Sequence, residues 1–161
     1  GAFENVVAIL PIVICFQSLI LDMAGNVGTQ SLAVTIRVLM DENLTVAQKL
    51  KLVVKEMKTG FLNGVCLAVM SFLFLGLYIH FFRKYDIGHS FLIAACVGVS
   101  LIVAMVISSL VGTVIPIFFK KIKVDPAVAS GPLITTVNDL VAVVVYYGLT
   151  WIFLINMLHI A

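Results

Sequence analysis

Asp139 lies inside an apolar run that extends from Pro126 to about residue 158. A carboxylate near the middle of a bilayer costs about 2.5–3.5 kcal/mol even on a lenient insertion scale, so its expected neighbour is water, a partner group or a cation rather than lipid. Val128, Gly131, Pro132, Thr135, Thr136 and Asp139 are spaced three or four apart and so share one face of a helix. Asp125 before Pro126 reads as a helix start, and Pro132, lacking an N–H, is expected to leave the carbonyl of Val128 unpaired. An anion, two hydroxyls and a released carbonyl on one stripe form an oxygen-rich surface suited to a hydrated cation. The alternative is a protonated Asp139, or one bonded to a neighbouring hydroxyl, that only holds a bundle together.

A second polar patch lies in the first apolar run. Asp22, Asn26 and Gln30 recur every four residues, with Gly25, Gly28 and Thr29 beside them. Two readings stay open. Small residues let membrane helices pack closely, and a broken helix at Gly25–Gly28 would instead turn backbone carbonyls and the Asn26 amide toward a polar path shared with Asp139. The run from Asn5 to Met40 would measure roughly 54 Å as one helix, longer than a bilayer core, so a bend, a break or a projection into the cytoplasm is expected.

The elements that must position these groups follow from composition. Of 161 residues, 62% are apolar and 11% charged, against roughly 25% charged in an average soluble domain. The apolar residues fall into blocks at about 5–36, 59–82, 91–119 and 126–158, each long enough to cross a membrane as a helix. The expected fold is an all-α integral membrane protein, a polytopic helical bundle of four transmembrane helices forming one domain over residues 1–161 in the cell membrane. Lys and Arg concentrate in 37–58 and 120–123, whereas 83–90 holds only Arg83 and Lys84. The first two segments are therefore expected on the cytoplasmic side and both chain ends outside. An outside N-terminus without a signal sequence points to a first helix inserted head-out or to a preceding helix that is not included. Thr45 to Gln48 has the pattern of a capping box, opening a basic amphipathic helix over about 45–58 that is expected to lie on the inner leaflet.

Other chemistry finds little support. Cys15, Cys66 and Cys96 sit in apolar blocks without Cys-x-x-Cys spacing and read as small apolar residues. His80, His89 and His159 lack metal-ligand spacing. Asp22 and Asp139 could form an intramembrane protease dyad only if both acids approached to about 3 Å and shared a proton. Leu21 and Asn138 precede them where such proteases carry glycine, so no enzyme is expected. There is no nucleotide motif to drive a pump, and no nucleic-acid partner is expected.

Taken together, Pro126-Ala127-Val128-Ala129-Ser130-Gly131-Pro132, Thr135-Thr136 and Asp139, with Gly25-Asn26-Val27-Gly28-Thr29-Gln30, resemble the membrane domain of the MgtE family of magnesium channels and transporters. Phe3-Glu4, Arg37, and Glu56 with Gly60 and Gly64 fall in the matching order. The resemblance implies a homodimer of five-helix domains of which this chain carries the second to fifth helices, with the missing first helix and cytoplasmic magnesium-sensing domains lying outside it. It implies an ion path along the dimer axis between the first and last helices seen here, Mg2+ held with its water by Asp139, and a lining supplied near Gly25, Asn26, Gly28, Gly131 and Thr135. Ala24, Val27, Asp22 and Ala142 depart from the usual family pattern.

Such a role is physically coherent. Mg2+ prefers octahedral oxygen at 2.0–2.1 Å and surrenders water reluctantly, so it commonly meets one or two carboxylates while keeping several waters. Thr135, Asn138 and freed carbonyls are expected to bond those waters, with Thr136 on the same stripe. Mn2+, Co2+ or Ni2+ also suit oxygen ligands, which keeps open a proton-coupled exporter of another divalent cation. A structural membrane assembly module is the remaining alternative.

Overall fold

The computed structural model describes the backbone of residues 2–41, 43–129 and 131–158, and the side chains of 11–41, 43–128 and 132–153. The side chains of Phe3 and Glu4, and Ser130 and His159, lie outside the described residues. Four helices follow one another: α1 (Ala2–Leu39), α2 (Val46–Arg83), α3 (Ile87–Lys121) and α4 (Gly131–Leu158), with a short 3-10 turn at Pro126–Ala129. All four contain stretches long and apolar enough to cross a membrane, as expected of a multi-pass membrane protein.

Two local expectations change. The basic segment over 45–58 is not a separate helix. Thr45 caps it, accepting from the Gln48 N–H while the Gln48 side chain accepts from the Thr45 N–H, and from there α2 runs unbroken for 38 residues. Nothing between Lys55 and Gly64 breaks the helical hydrogen bonding, so the basic turns extend the membrane span along its axis. At about 57 Å, α2 exceeds the ~30 Å hydrocarbon core. Likewise, Pro126 starts only the 3-10 turn, where Asp125 Oδ1 accepts from the Ala127 N–H at 2.9 Å. α4 begins at Gly131, which puts Pro132 in its first turn, where a missing N–H costs no helical bond.

α3 is the centre of the bundle and packs against the other three helices, whereas α1 and α2 barely meet. Its buried positions are mostly small, among them Ala94, Gly98, Ser100, Ala104, Ser108 and Gly112, which lets neighbouring backbones approach. Several of its hydroxyls bond within the helix: Ser100 donates to the Cys96 carbonyl at 2.8 Å and Thr113 to that of Ser109 at 2.8 Å, whereas the buried Ser108 hydroxyl has no partner among the described residues. Most of the apolar surface of α2, including Phe61, Leu73 and Phe74, remains exposed, as suits a lipid-facing helix. Polar bonds do join α1 to α2: Ser31 donates to Glu56 Oε2 at 3.0 Å, with the Glu56 side chain buried, and Arg83 donates to Cys15 Sγ at 3.8 Å.

The larger apolar core lies around Ile20, Ala24, Val97, Leu101, Ala142 and Tyr146. A smaller one surrounds Leu32 and Ile134 toward the lysine-rich end. At that end Lys120, in the last turn of α3, donates to the carbonyls of Leu39 and Asp41, capping the C-terminus of α1 with a cation. Toward the opposite end α4 grips α1 through adjacent tyrosines. Tyr146 donates to the Val13 carbonyl at 2.7 Å and Tyr147 to Gln17 Oε1 at 2.6 Å. Because the Tyr146 hydroxyl is buried, Tyr146→Phe is expected to lower stability by about 0.5–1.5 kcal/mol. Thermal unfolding in detergent measures this; an unchanged midpoint would show that the bond contributes nothing net.

Candidate cation site

α1 and α4 run antiparallel, and their polar faces meet along a groove of about 400 Å³. α1 contributes Ser18, Leu21, Asp22, Gly25, Asn26 and Thr29, and α4 contributes Thr135 and Asp139. The i, i+4 series Ser18, Asp22, Asn26 supplies one wall, and the i, i+4 pair Thr135, Asp139 the other. Asp22, Asn26 and Thr135 are exposed in the single chain, and Asp139 is half-buried. No basic side chain lines the groove among the described residues. Nor do three of His, Cys, Asp and Glu gather anywhere among them to hold a metal. The groove therefore presents two carboxylates surrounded by hydroxyls and an amide, a surface that can bond an ion's water shell.

Four of the expected site residues, Gly25, Asn26, Thr135 and Asp139, come together here. Gly25 has open space where a Cβ would project, so it keeps the groove wide. The helix does not break at this point: α1 continues through Gly25–Gly28, and the Thr29 hydroxyl donates to the carbonyls of Gly25 and Asn26 at 3.0 Å each. The expected exposed carbonyls are thus engaged within the helix, and the groove is lined by side chains.

Gly28 and Asn138 are placed differently from the expectation. Both turn away from the groove into the contact between α1, α3 and α4. A Cβ on Gly28 would lie 1.9 Å from Asn138 Nδ2, and a Cβ on Gly112 would lie 2.2 Å from the Gly28 carbonyl oxygen. Asn138 is fully buried, and its amide oxygen and nitrogen have no partner among the described residues. Asn138 is rotated about 100° around the helix from Asp139, and at this position that rotation turns it toward Gly28. Thr136 is exposed on α4, outside the groove lining, and donates to the Pro132 carbonyl at 2.7 Å. Gly131 opens α4, and its surroundings lie outside the described residues. Ser18 escaped the sequence reading, although it continues the four-residue series of Asp22 and Asn26 by one turn.

Of the cysteines, Cys15 and Cys66 are exposed and Cys96 is buried. His80 Nδ1 lies 2.9 Å from the Tyr85 carbonyl, and His89 Nδ1 lies 3.8 Å from Asp86 Oδ2 in the same turn. None of these approaches the groove.

The sequence also matches known proteins. Residues 17–149 match the MgtE family, described as divalent cation transporters. A magnesium transporter MgtE of Bacillus subtilis is 35% identical over 156 residues, covering 94% of this chain and 32% of the relative. One of Enterococcus faecalis is 32% identical over 152 residues, with the same 94% and 32% coverage. One of Thermus thermophilus is 33% identical over 144 residues, covering 89% of this chain and 30% of its own length. The chain thus spans about a third of the length of the relatives it matches.

Proposed function

Because this chain belongs to the MgtE family of divalent cation transporters, we propose that the groove between α1 and α4 is one wall of a path for hydrated Mg2+, with Asp139 holding the ion. The observation that carries this reading is the convergence of Asp139 and the polar face of α1 on one groove within membrane-spanning segments. Three Mg2+ transporters among the relatives support the choice of ion.

The chemistry is that of a site meeting the hydrated ion. Asp139 supplies charge, and the Thr135 hydroxyl and Asn26 amide lie where they can bond coordinated water. In a single chain the groove is uncovered on its outer side, and two carboxylates facing lipid would be costly. A second copy placed across a two-fold axis would cover it and set a second Asp139 opposite the first. The working unit is therefore a homodimer in the lipid bilayer, a transporter and not an enzyme, moving the ion down its gradient. For the whole protein the proposal includes a further first helix and cytoplasmic magnesium-sensing domains.

Protein reconstituted in liposomes that enclose a magnesium-sensitive dye tests the reading. Mg2+ entry driven by its own gradient is the expected result, with Mn2+, Co2+ and Ni2+ competing. No entry would leave the assembly-module alternative, and entry that requires a proton gradient would favour the coupled exporter.

A further inference from the structure

We propose that Asp22 is an outer carboxylate contact, or station, for the hydrated cation that Asp139 holds in the same groove, and that it sets the concentration at which the path fills. This rests on the reading of the groove as a cation path and adds a residue to it.

The close contacts between α1 and α4 give their relative level. Gly28 abuts Asn138, Val13 takes the Tyr146 hydroxyl, and Gln17 takes that of Tyr147. Counting from the first contact at 1.5 Å per residue, Asp22 lies about 9 Å beyond it and Asp139 about 1.5 Å. Counting back from the Gln17 contact gives a separation of about 4–5 Å. Asp22 therefore stands roughly 5–8 Å above Asp139, on the side away from the lysine-rich end, which faces the cytoplasm by the positive-inside rule.

That offset decides what the pair can hold. A bare Mg2+ touching both acids would need their oxygens within about 4 Å, twice its 2.0–2.1 Å bond length. An ion that keeps its water reaches farther. Adding a charge-assisted hydrogen bond of about 2.7 Å from bound water to carboxylate places each acid nearly 5 Å from the metal, and a span of about 9 Å becomes accessible. Six waters at about 30 Å³ each fill roughly 180 Å³, which the groove of about 400 Å³ accommodates. Ser18 flanks Asp22 and Asn26 lies one turn below it on the same wall, so a water-bonding surface continues from one acid to the other. Without a basic side chain lining the groove among the described residues, both charges remain available to the cation.

Asp22→Asn and Asp22→Glu, compared with Asp139→Asn, test this by Mg2+ entry into proteoliposomes over a range of Mg2+ concentrations. Asp22→Asn is expected to raise the half-saturating concentration at least fivefold while the maximal rate stays within twofold; Asp22→Glu should remain near wild type. Block by cobalt(III) hexaammine, a cation of hydrated-ion size whose ligands do not exchange, should weaken by a similar factor in Asp22→Asn and not in Asp22→Glu. A purely structural role would not produce that charge-specific pattern. Unchanged half-saturation and unchanged block in Asp22→Asn would overturn the outer station while loss of flux in Asp139→Asn left the main reading standing. Normal flux in Asp139→Asn would instead overturn the main reading, and the outer station with it. If Asp22→Asn does not fold, Asp22→Ser takes its place: a shift of both readouts there, with Asp22→Glu near wild type, supports the station, and wild-type values in both overturn it.

Discussion

Asp139→Asn should abolish Mg2+-dependent growth of a strain that lacks its own Mg2+ uptake, and should reduce flux into liposomes by at least roughly a hundredfold. Asparagine keeps the size of the side chain and one acceptor oxygen, so the change removes charge and little else. A unit charge about 5 Å from a dication, at an effective dielectric of about 20, interacts with it by about 6–7 kcal/mol. If desolvation offsets half of that, about 3 kcal/mol remains, equivalent to more than a hundredfold in occupancy. Because Asp139 is half-buried and outside the contact between α1, α3 and α4, the variant should be made in normal amounts and elute like the wild type on gel filtration. Growth rescue at the wild-type level would remove Asp139 from the path.

Gly112→Val should fail in the opposite way, losing the fold rather than the function. The added Cβ would sit 2.2 Å from the Gly28 carbonyl oxygen, and that neighbour is backbone in the middle of a helix, which no side-chain rotation can clear. Overpacking commonly costs about 1–3 kcal/mol; here α1 must leave α3 altogether, taking the seat of Asn138 with it, so a loss above that range is expected. The readout is the yield of monodisperse protein and its unfolding temperature. Gly25→Ala is the matched control: nothing lies within 4 Å of its Cβ position, and a helical Ala is favoured over Gly by about 1 kcal/mol. If Gly112→Val proves as stable as the control, α1 and α3 do not pack through this contact.

Part of this architecture was legible in the sequence because it depends on local patterns. The four apolar spans, the lysine-rich end, and the Thr45–Gln48 cap each follow from residues near one another in the chain. So does the face shared by Thr135 and Asp139, and that shared by Asp22 and Asn26. The division of 45–82 into two helices was not correct, because amphipathic and uniformly apolar stretches differ in composition while obeying the same helical bonding. Asn138 beside Asp139, and Gly28 beside Asn26 and Thr29, looked like site residues by proximity in sequence and prove to face inward.

What the sequence determined by itself, then, was that this chain crosses a membrane as helices and carries carboxylates there that need a polar partner, since burial in hydrocarbon penalises charge wherever it falls. Which helices meet was decided only by tertiary packing. The small residues of α3 draw the other helices onto it, Gly28 and Gly112 bring α1 to within backbone contact, and Tyr146 and Tyr147 align α4 along α1. Periodicity says which side chains share a face, but that face acquires a neighbour, a depth and a groove only when steric fit between distant segments selects one packing among many.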